Sequence, residues 1–156
     1  MKKKMIFLIV IVCCSCGKDH VSVKFDKKTF TQQRQLWQAS NTKDYEYHLF
    51  ASGFMMYYGK IHVENGSFKY DEILHEYASS LFMDYATIDK IYQTIEEIYN
   101  HYNKADKSDF YCNEIEVEYD KTNHIPTKIH YHHFQSPNLA VDGTFYFEIS
   151  SFKKHN

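Results

Sequence analysis

Apolar and polar residues alternate in several short stretches of the chain, and in two others apolar residues recur every three to four positions. In DYEYHLFA, Tyr45, Tyr47, Leu49 and Ala51 fall on one face and Asp44, Glu46 and His48 on the other, as in a strand with one buried side. KIHVENGSFKY (60–70) carries Asn65-Gly66, the dipeptide best suited to a two-residue type I′ turn because both central positions take positive φ. That turn sets Glu64 opposite Ser67, Val63 opposite Phe68, Ile61 opposite Tyr70 and Lys60 opposite Asp71. Three further strands are predicted. NEIEVEYD points Ile115, Val117 and Tyr119 inward and Glu114, Glu116 and Glu118 outward. TKIHYHHF groups Ile129, Tyr131 and His133 against Lys128, His130 and His132, and GTFYFEISSF turns Phe145, Phe147 and Ile149 inward.

Helical spacing is clearest at Ile88, Ile91, Tyr92, Ile95, Ile98, Tyr99 and Tyr102, behind Thr87 as a candidate N-cap. A shorter helix is predicted over 29–40, with Phe30, Leu36 and Trp37 at roughly helical spacing. Thr29 and Gln32 offer it a capping box, and Asn41 stands at its end. LHEYASSLFMDYA (74–86) reads as loop with a helical turn. The predicted order is αβββαβββ. This is an α+β domain: one antiparallel sheet of five to six strands, with the short N-terminal helix and the long amphipathic helix (87–103) on one face. No glycine-rich βα turn points to a nucleotide fold.

The start of the chain follows another pattern. Lys2, Lys3 and Lys4 precede an unbroken apolar run from Met5 to Val12, then small residues. This is the layout of a secretory signal, and the run falls well short of the ~20 apolar residues of a spanning helix. VCCSCG resembles a bacterial lipoprotein box, with Ser15 preceding Cys16, the cysteine to be lipidated. Cys13 takes the place of the usual leucine, and Cys14 is the second choice. The resemblance implies cleavage after residue 15, a diacylglycerol on the Cys16 sulfur and a further acyl chain, such as palmitate, on the new amine. Two or more long chains, at ~0.8 kcal/mol per buried methylene, hold a domain stably on a bilayer. Gly17 in place of an aspartate favours the outer over the inner membrane. The expected organisation is a signal at 1–15, a lipidated terminus and tether at 16–27, and one domain over 28–156.

Composition narrows the partners. Loss of the three signal lysines lowers Lys+Arg from 18 to 15 against 20 acids, a net charge of −5. Nucleic acid, which calls for a basic stripe, is an unsuitable partner. Cys112 is then the one cysteine beside the lipidated residue and reads as a small buried hydrophobe. With 14 Tyr and 12 Phe against 5 Gly and 2 Pro, the chain has the make-up of a packed domain rather than a disordered one.

VEYDKTNHIPTKI (117–129) and VDGTFYFEISSF (141–152) resemble the C-terminal part of an uncharacterised family of small bacterial lipoproteins. The matching positions are Tyr119, Asp120, Pro126, Thr127, Ile129, Asp142 and Gly143. Upstream, Trp37, Tyr45, Tyr47 and Asn65-Gly66 fit the family's early Trp, its Tyr-x-Tyr and its hairpin. His124 stands where the family often has glycine, so positive φ falls to Asn123 or His124. The resemblance implies no activity. By fold analogy only, its sheet-plus-helix plan is similar to secreted inhibitors of peptidases or β-lactamases. The residues themselves give Asp120 the role of capping amides in a tight turn and Pro126 that of a strand's first residue.

Candidate chemistry is sparse. His130 and His132 share a strand face that would meet Glu116 and Glu118 if the two strands pair, a combination suited to zinc or copper. With no third well-placed ligand evident from spacing, no metal or cofactor is assigned. The serines lack an elbow motif, and no carboxylate pair is singled out, so no catalytic residue is named. GFMMYYG (53–59) sets Phe54, Met55, Met56, Tyr57 and Tyr58 between glycines. It suits a strand buried on both faces or an adaptable surface for a partner. The expected function is a non-enzymatic binding or inhibitory module, anchored outside the cytosol of a bacterium, with a protein, peptide or apolar ligand. A small-ligand or metal-binding lipoprotein is the second reading and an unrecognised hydrolase the third.

Overall fold

The computed structural model describes residues 20–52, 56–73, 85–105, 112–136 and 139–155. The signal, the lipidation site Cys16 and the binding candidates Phe54 and Met55 lie outside them. The elements are β1 (Lys24–Phe25), α1 (Lys27–Ser40), β2 (Tyr45–Ser52), β3 (Met56–Glu64), β4 (Ser67–Ile73), α2 (Ile88–Tyr102), β5 (Glu114–Asp120), β6 (Ile125–Ser136) and β7 (Leu139–Lys154). Among the described residues, seven strands form one sheet in the order β1-β5-β6-β7-β2-β3-β4. β1 runs parallel to β5 and the other pairs are antiparallel. The α+β class holds in outline, but the sheet is mixed and larger than the expected five or six antiparallel strands, and a strand precedes the first helix.

That extra strand corrects the tether reading for residues 20–27. Val21 and Val23 are core residues. The Val21 amide donates to the Ala105 carbonyl at 2.9 Å and that of Lys24 to Asn113 at 2.8 Å. Val21 and Val23 thus pack into the core ahead of α1, and Lys24 and Phe25 close the β5 edge.

α1 begins earlier than the Thr29 capping box suggested. Asp26 is the N-cap, accepting from the Thr29 amide at 3.0 Å and its hydroxyl at 2.6 Å. A carboxylate is at least as good an N-cap acceptor as a hydroxyl, and capping from 26 adds a turn. Asn41 in the left-handed region, φ 49°, ends the helix as expected. Phe30 and Trp37 are buried, whereas Leu36 is exposed. α2 follows its sequence pattern: Thr87 accepts from the Lys90 amide at 3.1 Å, and Ile88, Ile91, Tyr92 and Ile95 are fully buried. At ~1.5–3 kcal/mol per buried side chain, this stripe holds the helix to the sheet.

Between helices and sheet lie Tyr45, Tyr47, Leu49, Ile61, Val63, Ile115, Ile129, Tyr131, Phe147 and Ile149, the inward positions that alternation assigned. Trp37 stands edge-on to Tyr45, 5.4 Å between ring centres. The β3–β4 turn has the positive φ expected of it, 52° at Asn65 and 71° at Gly66, and three of the four pairings hold. The fourth does not: a bulge sets Glu72, not Asp71, opposite Lys60.

Other irregularities have local causes. Pro126 is the second residue of β6, not the first. It sits beside the register shift that pairs Tyr119 with Pro126 and Glu118 with Lys128, where a residue without an amide hydrogen is tolerated. Asp142 and Gly143, at the start of the last predicted strand, lie inside the long β7. Gly143 pairs with Phe134 next to a register shift. Ser151, at φ 54°, supplies the extra β7 residue where the β2–β7 register shifts.

Candidate binding face

Both helices cover one side of the sheet, so outward strand residues form the other face. The ladder arranges them in rows. Glu116 is opposite His130, His130 opposite Tyr146, Tyr146 opposite Ser52 and Ser52 opposite Met56. Next to this row run Glu118, Lys128, Glu148, Phe50 and Tyr58. A groove of about 490 Å³ crosses the β1–β5 end of this sheet. Its lining includes Lys24, Glu114, Glu116, Glu118, Lys128, His130 and Tyr146.

The pairing of β5 with β6 brings imidazoles and carboxylates together. His132 Nε2 lies 2.9 Å from Glu116 Oε2, and the His130 and His132 rings are 3.9 Å apart. The nearest ligand atoms of Glu116, His130 and His132 all fall within 4.8 Å of one another. The hydrogen bond to His132 holds the Glu116 carboxyl below its ordinary range. Burial first, and then the neighbouring His132, push His130 down, favouring its neutral imidazole. Sequence spacing alone did not single out Glu116 as the third member of this group.

The flanking carboxylates have other partners. Glu114 pairs with Lys24, and Glu118 lies 3.2 Å from Lys128 Nζ. Tyr146 donates to Glu148 at 2.8 Å, and burial, with that carboxylate, raises its phenol to about 12.

A second cluster escaped the sequence reading. Glu46 is flanked by Lys60 Nζ at 2.9 Å, Lys153 Nζ at 3.5 Å, His155 Nε2 at 3.6 Å and His62 Nδ1 at 4.0 Å. Its carboxyl is held low, chiefly by the hydrogen bond from Lys60. Outward alternation marks Glu46, Lys60 and His62 individually. Only the β2–β7 register adds Lys153 and His155.

Of the 53–59 candidates, Met56 and Tyr58 lie on this outward face, exposed by 71% and 43%, so β3 is not buried on both sides there. Tyr58 Oη is 2.8 Å from His48 Nδ1, and Phe50 packs edge-on to Tyr146 at 6.3 Å. Tyr57 is in β3 opposite Ala51. Cys112 is buried, where loss of solvent raises its thiol to about 11. Among the described residues, no helix is long and apolar enough to cross a membrane.

Comparison with curated proteins and with solved structures found no match. Residues 29–154 match a family described only as of unknown function, a span that runs from the first turn of α1 to the end of β7 and takes in Glu116, His130 and His132. The chain therefore belongs to the DUF6174 family.

Proposed function

We propose that this is a lipid-anchored, extracytoplasmic, non-enzymatic binding module of a bacterial envelope, more at home on the outer than the inner membrane. It is held there through Cys16 and docks a protein on the outward face of its sheet. The observation that carries the docking is the exposure of Met56 and Tyr58 beside Phe50, on a face whose other outward residues include His130, Glu116, Glu118, Lys128, Ser52 and Tyr146. Aromatic and methionine side chains set within a polar surround are the make-up of protein interfaces. The polar rows around them suit a protein better than a purely apolar ligand. The lipoprotein-box likeness of VCCSCG supports the anchor.

Two measurements test the reading separately. Alkyne-palmitate labelling of the expressed chain should disappear in Cys16→Ser and persist in Cys14→Ser; label that survives Cys16→Ser removes the anchor. For docking, a photo-crosslinker at position 58 in the native envelope should form a discrete protein adduct, and one at Ala39 on α1 should not. Equal adducts at both positions, or none at 58, would defeat the partner reading.

A further inference from the structure

We infer that Glu116, His130 and His132 form a three-ligand site for a borderline divalent transition metal, zinc or copper(II), on the outward face of β5 and β6. The site does not depend on the identity of any docked protein.

The argument begins with chain geometry. Residues two apart on a strand project to the same face, so His130 and His132 present two imidazoles side by side, and the ladder sets Glu116 directly opposite His130. Two imidazoles and a carboxylate are a donor set that zinc accepts with a fourth position left open, and that copper(II) also accepts. Tetrahedral bonds of ~2.0–2.1 Å place donor atoms ~3.3 Å apart. Here the three donors already lie within 4.8 Å, with one pair at 2.9 Å, so side-chain rotation of ordinary size closes the set while the ladder stays fixed.

Charge separates this cluster from the other. Of the three outward glutamates of β5, Glu114 pairs with Lys24 and Glu118 with Lys128. Glu116 faces the two imidazoles, which act as ligands once neutral, and Lys24, engaged by Glu114, is the last of the charges acting on it. Glu46 also stands near two histidines, but Lys60 and Lys153 lie within 3.5 Å of its oxygens. Two ammonium groups occupy the space a cation would need and repel it. Similar ligand counts therefore lead to opposite expectations: a metal at Glu116, and an internally neutralised carboxylate at Glu46.

The test is a zinc titration of the untagged full chain in detergent against a chromophoric chelator. A parallel copper(II) electron paramagnetic resonance spectrum reads nitrogen ligation. The wild type should bind one ion, with hyperfine structure from two imidazole nitrogens. His130→Ala/His132→Ala, which keeps every cysteine, should lose at least about a hundredfold in affinity, the upper end of what outer-shell changes cost. Glu116→Gln should weaken binding by ~10-fold or more with an unchanged circular dichroism spectrum. His62→Ala/His155→Ala should bind as the wild type. Wild-type affinity in the His130/His132 double variant, loss confined to the His62/His155 double variant, or a wild-type dissociation constant above ~100 μM would each overturn the site.

Discussion

The His124 amide donates to the Asp120 carbonyl at 2.8 Å, and this contact closes the β5–β6 turn with His124 in the left-handed region, φ 58°. The Asp120 carboxylate braces the same turn. It accepts from the Thr122 amide at 2.7 Å, the Asn123 amide at 2.8 Å and the Asn123 side chain at 3.3 Å. The turn is also tied to both helices: Tyr92 of α2 donates to the His124 carbonyl at 2.7 Å, and the His124 ring meets Gln33 of α1 at 3.0 Å. Asp120→Ala should therefore cost ~1–2 kcal/mol in denaturant unfolding. His124→Gly relieves the left-handed penalty while losing the Gln33 contact and should stay within ~0.5 kcal/mol of wild type. His124→Val, with a branched side chain at positive φ, should cost ~2 kcal/mol. Equal losses for Gly and Val would show that the ring contact, not the backbone, governs the turn.

The hydrogen bonds to Asp120, that of the Asn123 amide foremost, hold its carboxyl below its ordinary value of 3.8. A depressed folded-state value means stability that is complete above about 3.8 and lost as pH falls through the lower, folded value. The acid limb of the stability–pH curve should flatten in Asp120→Asn, which keeps an acceptor but cannot titrate. Urea midpoints between pH 2 and 5 provide the comparison, and an unchanged acid slope in the variant would remove Asp120 from the account.

Much of this turn was legible in the chain, and the reason is that its causes are local. A short polar side chain before a tight turn, and a histidine where glycine is common, concern neighbours in sequence. The same holds for the Asn65-Gly66 turn and for the stripe of α2. What stayed hidden depends on register between distant segments. β1 has two residues, too few to show a period, and is fixed by its pairing with β5. The bulges at Ser151 and beside Pro126 shift whole rows of outward side chains, so the cluster at Glu46 cannot be assembled from alternation alone. Glu116 was visible as an outward residue, but its place opposite His130 needed the β5–β6 pairing to be realised.

The burial of Val21 and Val23 makes the N-terminal segment part of the fold, with consequences for anchoring. Full extension from Cys16 to His20 spans only ~14 Å, so an anchored domain would ride close to its bilayer. Val21→Asp/Val23→Asp should destabilise the chain by ~3 kcal/mol or more, two valine burials lost and two carboxylates left to be solvated. The same pair of changes at Ser22 and Lys24, which are exposed, should cost much less. Thermal unfolding of the two double variants decides between a tether and a strand that belongs to the core.

Cys112 should behave as packing, not as a reactive thiol. Its sulfur lies 3.3 Å from the Glu114 carbonyl and 3.6 Å from that of His132, and burial raises its value from 9.0 to about 11. A raised folded-state value means that the thiol's contribution is intact below pH 9 and lost as pH rises from 9 to 11. At pH 8 a maleimide should modify Cys112, read by peptide mass, only at the rate of unfolding, and Cys112→Ala should remove a component of alkaline destabilisation between pH 9 and 11. Rapid labelling of the native protein at pH 8 would show the residue to be accessible.

Two core tyrosines that look alike in sequence should respond oppositely to loss of the hydroxyl. The Tyr45 hydroxyl accepts from the Ile88 amide at 3.0 Å, satisfying one of the backbone donors left over at the start of α2. The buried Tyr119 hydroxyl has no hydrogen-bond partner among the described residues, while its ring stacks beside Tyr92 at 6.4 Å. Removing a buried partner strands the group left behind, at ~1–3 kcal/mol, whereas removing an unpaired hydroxyl sheds a desolvation cost. Tyr45→Phe should therefore lower stability by ~1–3 kcal/mol, and Tyr119→Phe should leave it unchanged or raise it. Urea unfolding followed by the emission of Trp37, the sole tryptophan and a direct neighbour of Tyr45, reads both variants. A loss at Tyr119→Phe comparable to that at Tyr45→Phe would mean that its hydroxyl has a partner after all and that the β5 edge is wetter than its packing implies.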